Sequence, residues 1–125
     1  MGIQKCCYKT CSTVQLSHYL QANDVYKAFV AAAPVVDWAL YDTAYTERYL
    51  GLPKEQETAY KMGSILTYAK NLPSDRCRLL IIHGGKDENV HFLHTSNLLT
   101  QLNKMGKPYS FGVGSILVIN LFSFV

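Results

Sequence analysis

No stretch of this sequence is apolar for the roughly 20 residues that a bilayer-spanning helix needs. The longest candidate, "FGVGSILVINLFSFV" at 111–125, is shorter, uncharged, and carries Asn120 near its middle. No anchor is expected of it, yet it is an odd ending for a globular domain. Charge is sparse as well: 12 Lys and Arg against 9 Asp and Glu leave a net +3. The basic residues are scattered rather than gathered into a stripe, so no nucleic-acid partner is expected. Of the four cysteines, Cys6, Cys7 and Cys11 crowd the N-terminus and Cys77 stands alone. Their spacing matches no common zinc motif and no secretory signal precedes them, which points to reduced, structurally minor thiols. The opening "MGIQKC" lacks the Ser or Thr that N-myristoylation wants at its sixth position. Repeats and low-complexity linkers are absent. What remains is a chain of 125 residues, 49% of them hydrophobic, enough for one modest domain with a single core.

The organisation of that domain is readable in its middle. "STVQLSHYLQAN" predicts a short helix with Ser12 as N-cap, although its periodicity is weak. "AFVAAAPV", Ala28 to Val35, is a continuous apolar run ended near a proline, as expected of a strand covered on both faces. A helical turn is expected through "TERYL", stopped at Gly51 and Pro53, and a helix over 60–73 closed by Pro73. "RLLII" reads as a second buried strand. "NVHFLHTSNLLTQLNKMGKP" reads as a helix with Leu98, Leu99, Leu102 and Met105 on its apolar face, Gly106 as its C-cap and Pro108 barring continuation. Strand, loop and helix in alternation define an α/β fold with a parallel sheet, and such sheets carry their chemistry in loops at the carboxyl ends of strands. "HGGKDEN", 83–89, is such a loop.

In that loop, Gly84 and Gly85 permit a sharp turn off the strand and leave Asp87 at the rim of the sheet. A carboxylate there has two uses. It can cap the helix that follows, expected to begin near Asn89, or it can orient a histidine as the third member of a Ser-His-Asp triad. His83, Asp87, His91 and His94 are a second candidate set, as metal ligands, but the spacing and supporting partners of a zinc site are not visible. His91 and His94 read instead as partly exposed residues of a first helical turn, and no metal or cofactor is expected. From the residues alone, "WALYDTAYTERY" reads as an aromatic core cluster.

Three strings carry more information than these patterns. "APVVDWALYDTAYTERYLGLP", "LLIIHGGKDENVHFLHTSNLL" and "GKPY" together resemble the C-terminal α/β-hydrolase domain of the dipeptidyl peptidase IV group, in the prolyl oligopeptidase family of serine peptidases. "DENVHF" and "GKPY" are nearest to its cytosolic branch, dipeptidyl peptidases 8 and 9. The resemblance spans about residues 25–109, flanked by a divergent leader (1–24) and a divergent apolar tail (110–125). It implies a partial α/β-hydrolase fold, with an incomplete parallel sheet flanked by helices. It implies that Asp87 is the triad aspartate. It implies further that Val35, Trp38, Tyr41, Tyr45 and Val90 line the small apolar pocket for a substrate's proline ring, and that Asn89 hydrogen-bonds the substrate carbonyl before that proline. The implied substrate is a peptide with a penultimate proline, the implied compartment is the cytoplasm, and no cofactor is implied.

The rest of the family's machinery is missing. Its nucleophile sits in a Gly-x-Ser-x-Gly elbow, and no such string occurs here; an ungapped extension of the match puts Lys9 in the serine's place, with Ser12 nearby. No histidine follows His94, and the same extension to the right reaches Ile119. One triad member of three cannot carry out acyl transfer. The expectation is therefore an inactive fragment of a serine dipeptidyl peptidase, truncated, alternatively spliced or read into non-coding sequence at its edges. The alternative is a non-catalytic interaction module that associates with itself, with a full-length homologue or with another partner through an open sheet edge or the apolar tail. A complete small enzyme using Lys9 or Ser12 with His91 as base ranks far behind.

Overall fold

The computed structural model describes residues 7–10, 13–21, 26, 28–75 and 77–114. Four strands form one sheet in the order β1 (Cys7–Thr10), β2 (Ala28–Ala32), β3 (Leu79–Gly84), β4 (Ser110–Gly114), and every neighbouring pair is parallel. The sequence reading found only β2 and β3. β1 falls within the segment set apart as leader and β4 at the start of the segment set apart as tail. β4 escaped because "SFGVG" interleaves two glycines with polar and apolar residues and offers no β-branched run.

Strands that are neighbours in both sequence and space are joined by right-handed crossovers, and a sheet extended in one direction collects all its crossovers on one face. The core has that arrangement. Phe29 and Ala31 of β2 and Leu79 and Ile81 of β3 point into a single cluster with Leu16, Tyr19 and Leu20 of α1 (Thr13–Gln21) and Leu98 and Leu102 of α4 (Leu93–Lys104). Each such buried aliphatic side chain contributes about 1.5–3 kcal/mol of transfer free energy. Val30, Leu80 and Ile82, on the opposite face, are only half-buried. The strands therefore alternate in burial instead of being covered equally on both sides. Tyr19 stacks on Phe29 at 4.8 Å with its hydroxyl buried and unpartnered among the described residues. Burial pushes its phenol up to about 12, against a smaller opposing pull from Arg78.

Between β2 and β3 the chain builds the rim of the sheet. β2 is followed by Ala33, whose φ of 44° is the only positive value at a non-glycine among the described residues. Such a backbone costs an L-residue about 1–2 kcal/mol. Asp37 caps a 3-10 turn, Trp38–Leu40, and Asp42 caps α2 (Thr43–Leu50) by accepting from the Tyr45 N–H at 2.8 Å. Gly51, at φ 76°, ends α2 where the sequence placed its stop.

The helix expected over 60–73 is not continuous. α3 (Glu57–Gly63) stops at Ser64, and two 3-10 turns follow, Ile65–Thr67 and Ala69–Asn71. The cause is tertiary: the Ser64 hydroxyl and the Ile65 N–H both donate to the Val36 carbonyl, at 3.3 and 2.8 Å, which holds Ser64 extended. Gly63 lies so close to the Trp38 indole that a Cβ there would be 2.9 Å from its Cδ1. α4 in turn starts at Leu93 and not near Asn89, and ends at Met105 and Gly106, the glycine at φ 62°.

Candidate active site

The rim beyond β2 and β3 gathers every residue named for the site. Asp87 follows the turn off β3, its N–H donating to the Gly84 carbonyl at 3.3 Å. Its Oδ1 accepts from the Asn89 and Val90 N–H groups, at 3.0 and 2.9 Å. The carboxylate does cap the backbone, as the simpler reading held, but it caps a tight turn ahead of the helix. That turn delays α4 by several residues. Oδ2 is left on the other side, 3.7 Å from His83 Nε2, with 12% of the side chain exposed.

His83 braces the loop from below. It is fully buried, with Nε2 2.7 Å from the Val90 carbonyl and Nδ1 2.6 Å from the Thr95 hydroxyl. A carbonyl only accepts, so Nε2 carries the hydrogen, and Nδ1 shares a hydrogen bond with the Thr95 hydroxyl. Both nitrogens are spent on structure. His83 is not placed to serve as a base above Asp87.

The aromatic wall comes from the other loop. Val35 and Val90 are buried with Ala33 in one small apolar cluster, and Trp38 and Tyr41 pack against it. Tyr45 joins through its ring, stacked on Trp38 (6.2 Å, 24°) and edge-on to Tyr41 (5.7 Å, 89°). The Tyr41 hydroxyl donates to Asn89 Oδ1 at 3.0 Å, tying the wall to the aspartate loop. A cleft of about 190 Å³ shares Trp38 and Tyr45 with this set and runs on to Thr46, Tyr49 and Leu50. The aromatic segment is thus a half-open surface and not a sealed core: Tyr45 is 51% and Tyr49 67% exposed.

His94 departs from expectation. Instead of standing partly exposed with His91, it is fully buried, and its Nδ1 accepts from the Val36 and Asp37 N–H groups at 3.2 and 3.4 Å. Burial pulls its pKa below the ordinary 6.5, only partly countered by Asp37. Its position was readable, because His94, Leu98 and Leu102 are spaced by four on one helix face. His91 is exposed. Among the described residues no group of three His, Cys, Asp or Glu side chains is placed to hold a metal ion, and no helix is long and apolar enough to cross a membrane. Lys9 lies in β1; Ser12, between β1 and α1 in the chain, lies outside the described residues, as do Cys11 and Ile119.

This arrangement has counterparts. The chain is similar to dipeptidyl peptidase 8 of Homo sapiens and of Mus musculus, each 48% identical over 96 residues, covering 77% of this chain and 11% of the relative. Dipeptidyl aminopeptidase A of Saccharomyces cerevisiae is 39% identical over 99 residues, 79% of this chain and 10% of its own. The fold superimposes on the crystal structure of Porphyromonas gingivalis dipeptidyl peptidase 4 with a TM-score of 0.79 and 34% identity, covering 88% of this chain and 16% of that one. The likeness makes the four strands and their helices part of an α/β-hydrolase fold. The chain spans about a tenth of the length of these curated relatives. Residues 14–114 match the prolyl oligopeptidase family, a wider span than the 25–109 of the resemblance, and it takes in the aspartate loop, the aromatic wall and the strands beneath both. On that match, with the rim geometry and the shared fold behind it, the chain belongs to the prolyl oligopeptidase family.

Proposed function

We propose that this chain carries the aspartate and the proline-binding wall of a serine dipeptidyl peptidase site, and that by itself it binds such peptides without cleaving them. The observation that carries this reading is the junction of the two rim loops, where Tyr41 holds Asn89 beside the Val35, Val90 and Trp38 cluster. A flat proline ring is suited to aromatic and branched walls, and a single directional amide next to them sets the register of the peptide. In this reading Asn89 meets the carbonyl before the proline, and Oδ2 of Asp87 faces the place of a histidine base.

The chemistry needs two further groups. A serine must be raised on a tight glycine-bounded turn, and a histidine must stand between it and Asp87. These 125 residues contain no Gly-x-Ser-x-Gly and no histidine after His94, while His83 and His94 are bonded internally. Acyl transfer is therefore outside the proposal for this chain alone. The whole-protein activity, cleavage after a proline at the second position, and a cytoplasmic setting are proposed for a protein that supplies those groups, by resemblance to the cytosolic branch.

Trp38 is the chain's single tryptophan and sits in the proposed wall. Titration with the dipeptide Val-Pro is expected to change its emission saturably, and Val-Gly is not. A fluorophosphonate probe is expected to leave the chain unlabelled. Equal responses to both dipeptides would remove the proline pocket, and labelling at a serine would overturn the claim of inactivity.

A second reading, a non-catalytic interaction module, is favoured by the exposed aromatic and apolar side chains of Tyr45, Tyr49, Leu52 and Met62. It predicts association that strengthens with concentration and weakens on Tyr49→Ser. A monodisperse monomer across the accessible range would rule it out.

A further inference from the structure

We propose that His94 is a positioning residue for the aromatic wall: as a bare hydrogen-bond acceptor on the first turn of α4, it pins the Val36–Asp37 backbone and so sets where Trp38 and Tyr41 stand. The inference deepens the proline-pocket reading and rests on it for its consequence, but the geometry stands without any ligand.

Val36 is held through both of its backbone polar groups. Its N–H donates to His94 Nδ1, 58 residues away, and its carbonyl accepts from Ser64 and Ile65. Asp37 N–H shares the same nitrogen at 3.4 Å. From this pinned segment the chain leads directly into the capped turn that carries Trp38, and Tyr41 follows with its ring 6.4 Å from that of His94. A short loop anchored so close to its aromatic residues has little freedom left to rotate them.

The neighbouring residue does the equivalent task for the other loop. Thr95 bonds His83, and His83 holds the Val90 carbonyl at the end of the aspartate turn. One turn of α4 is therefore the common footing of both halves of the site. Asp87 and Asn89 stand on it through Thr95 and His83, and Trp38 and Tyr41 through His94.

The protonation state follows from the partners. Two N–H groups can only donate, so Nδ1 must be free of hydrogen and the ring neutral, with its hydrogen on Nε2. Nε2 itself is buried without a partner of proper hydrogen-bond geometry among the described residues. Burial is the main influence keeping the ring neutral; His83 from β3 and His91 from the preceding loop act in the same direction, while Asp37 and the Leu40 carbonyl oppose them. A proton added at Nδ1 would set three donors against one another in a dry site. The clamp should then open and release the wall.

The test uses the 125-residue chain and its single tryptophan. Between about pH 8 and about pH 5 the Trp38 emission should change with a midpoint below 6.5, the ordinary histidine value, while the far-ultraviolet circular dichroism holds constant. His94→Leu, which has no acceptor, should show the acid-state emission already at high pH and no titration. His94→Asn, whose amide oxygen can replace Nδ1, should restore the neutral-state emission and also lack the titration. Val-Pro binding should weaken about tenfold in His94→Leu and recover in His94→Asn. Should His94→Leu fail to fold, imidazole nitrogen NMR of the unaltered chain decides, since a hydrogen on Nδ1 at neutral pH overturns the proposal and a hydrogen on Nε2 alone supports it. Persistence of the titration in His94→Asn would equally overturn it. The emission and NMR readouts involve no peptide. If they behave as expected while Val-Pro fails to bind, the proline reading falls and the role of His94 in setting the wall stands.

Discussion

The Tyr41 hydroxyl donates to Asn89 Oδ1 at 3.0 Å, a bond between side chains 48 residues apart that joins the two loops of the rim. Because the bond is exposed, it adds little to stability and much to orientation. Tyr41→Phe should change unfolding free energy by no more than about 0.5 kcal/mol in urea titrations. The same variant should weaken Val-Pro binding several-fold by freeing the Asn89 amide, as read by Trp38 emission.

Asp87 offers a contrast, since its Oδ1 accepts two backbone N–H groups. Asp87→Asn keeps an acceptor but loses its charge, and should cost about 1 kcal/mol; Asp87→Ala leaves both donors unmet and should cost about 2–3 kcal/mol. Chemical denaturation of the two variants against the parent checks the ranking.

Alkaline stability depends on Tyr19. Its phenol is held up to about 12 by burial, against about 10 in an unfolded chain. Above the lower value the unfolded state sheds a proton that the folded state retains, so stability is fully present below about pH 10 and is lost as pH rises toward 12. Tyr19→Phe should abolish that loss. It should also be neutral or slightly stabilising near neutrality, because it removes a buried hydroxyl with no partner among the described residues. Melting temperatures across the alkaline range measure both effects.

Gly63→Ala tests the break after α3. The added carbon would sit 2.9 Å from Trp38 Cδ1, so the indole must move. A cost of about 1–3 kcal/mol is expected, with a shifted Trp38 emission in the folded state. An unchanged emission would show that the indole is not held against α3.

How far the sequence foretold this architecture depends on where local signals were strong. β2 and β3 announced themselves as apolar runs, and Gly51 and Gly106 marked helix ends that the backbone adopts with positive φ. The helix through 60–73 failed because its pattern is helical only locally: the Val36 carbonyl, 28 residues from Ser64, outcompetes the next helical bond. β4 failed because a strand of small residues is defined by its neighbour β3 and not by its own propensity. For the site, residue patterns favoured a core cluster and a capping aspartate. The grouping of Val35, Trp38, Tyr41, Tyr45, Asp87, Asn89 and Val90 came from the wording of whole strings. No propensity could supply it, since the two loops are far apart in sequence and adjacent only because β2 and β3 pair. His94 is the opposite case: the four-residue spacing to Leu98 was in plain view, but a polar side chain there invited an exposed placement.

The strand order has a consequence in symmetry. Among the described residues β1 and β4 each pair on one side only, and all four strands run the same way. Two copies meeting β4 to β4 are related by a two-fold axis, so those strands must run antiparallel and the assembly closes at two. A copy meeting β4 through its β1 extends the parallel order and presents a fresh β4 to the next, with nothing to end the series. The choice between a bounded dimer and an open-ended ribbon is therefore set by whether either edge is shielded, because shielding one of them leaves only closed pairs.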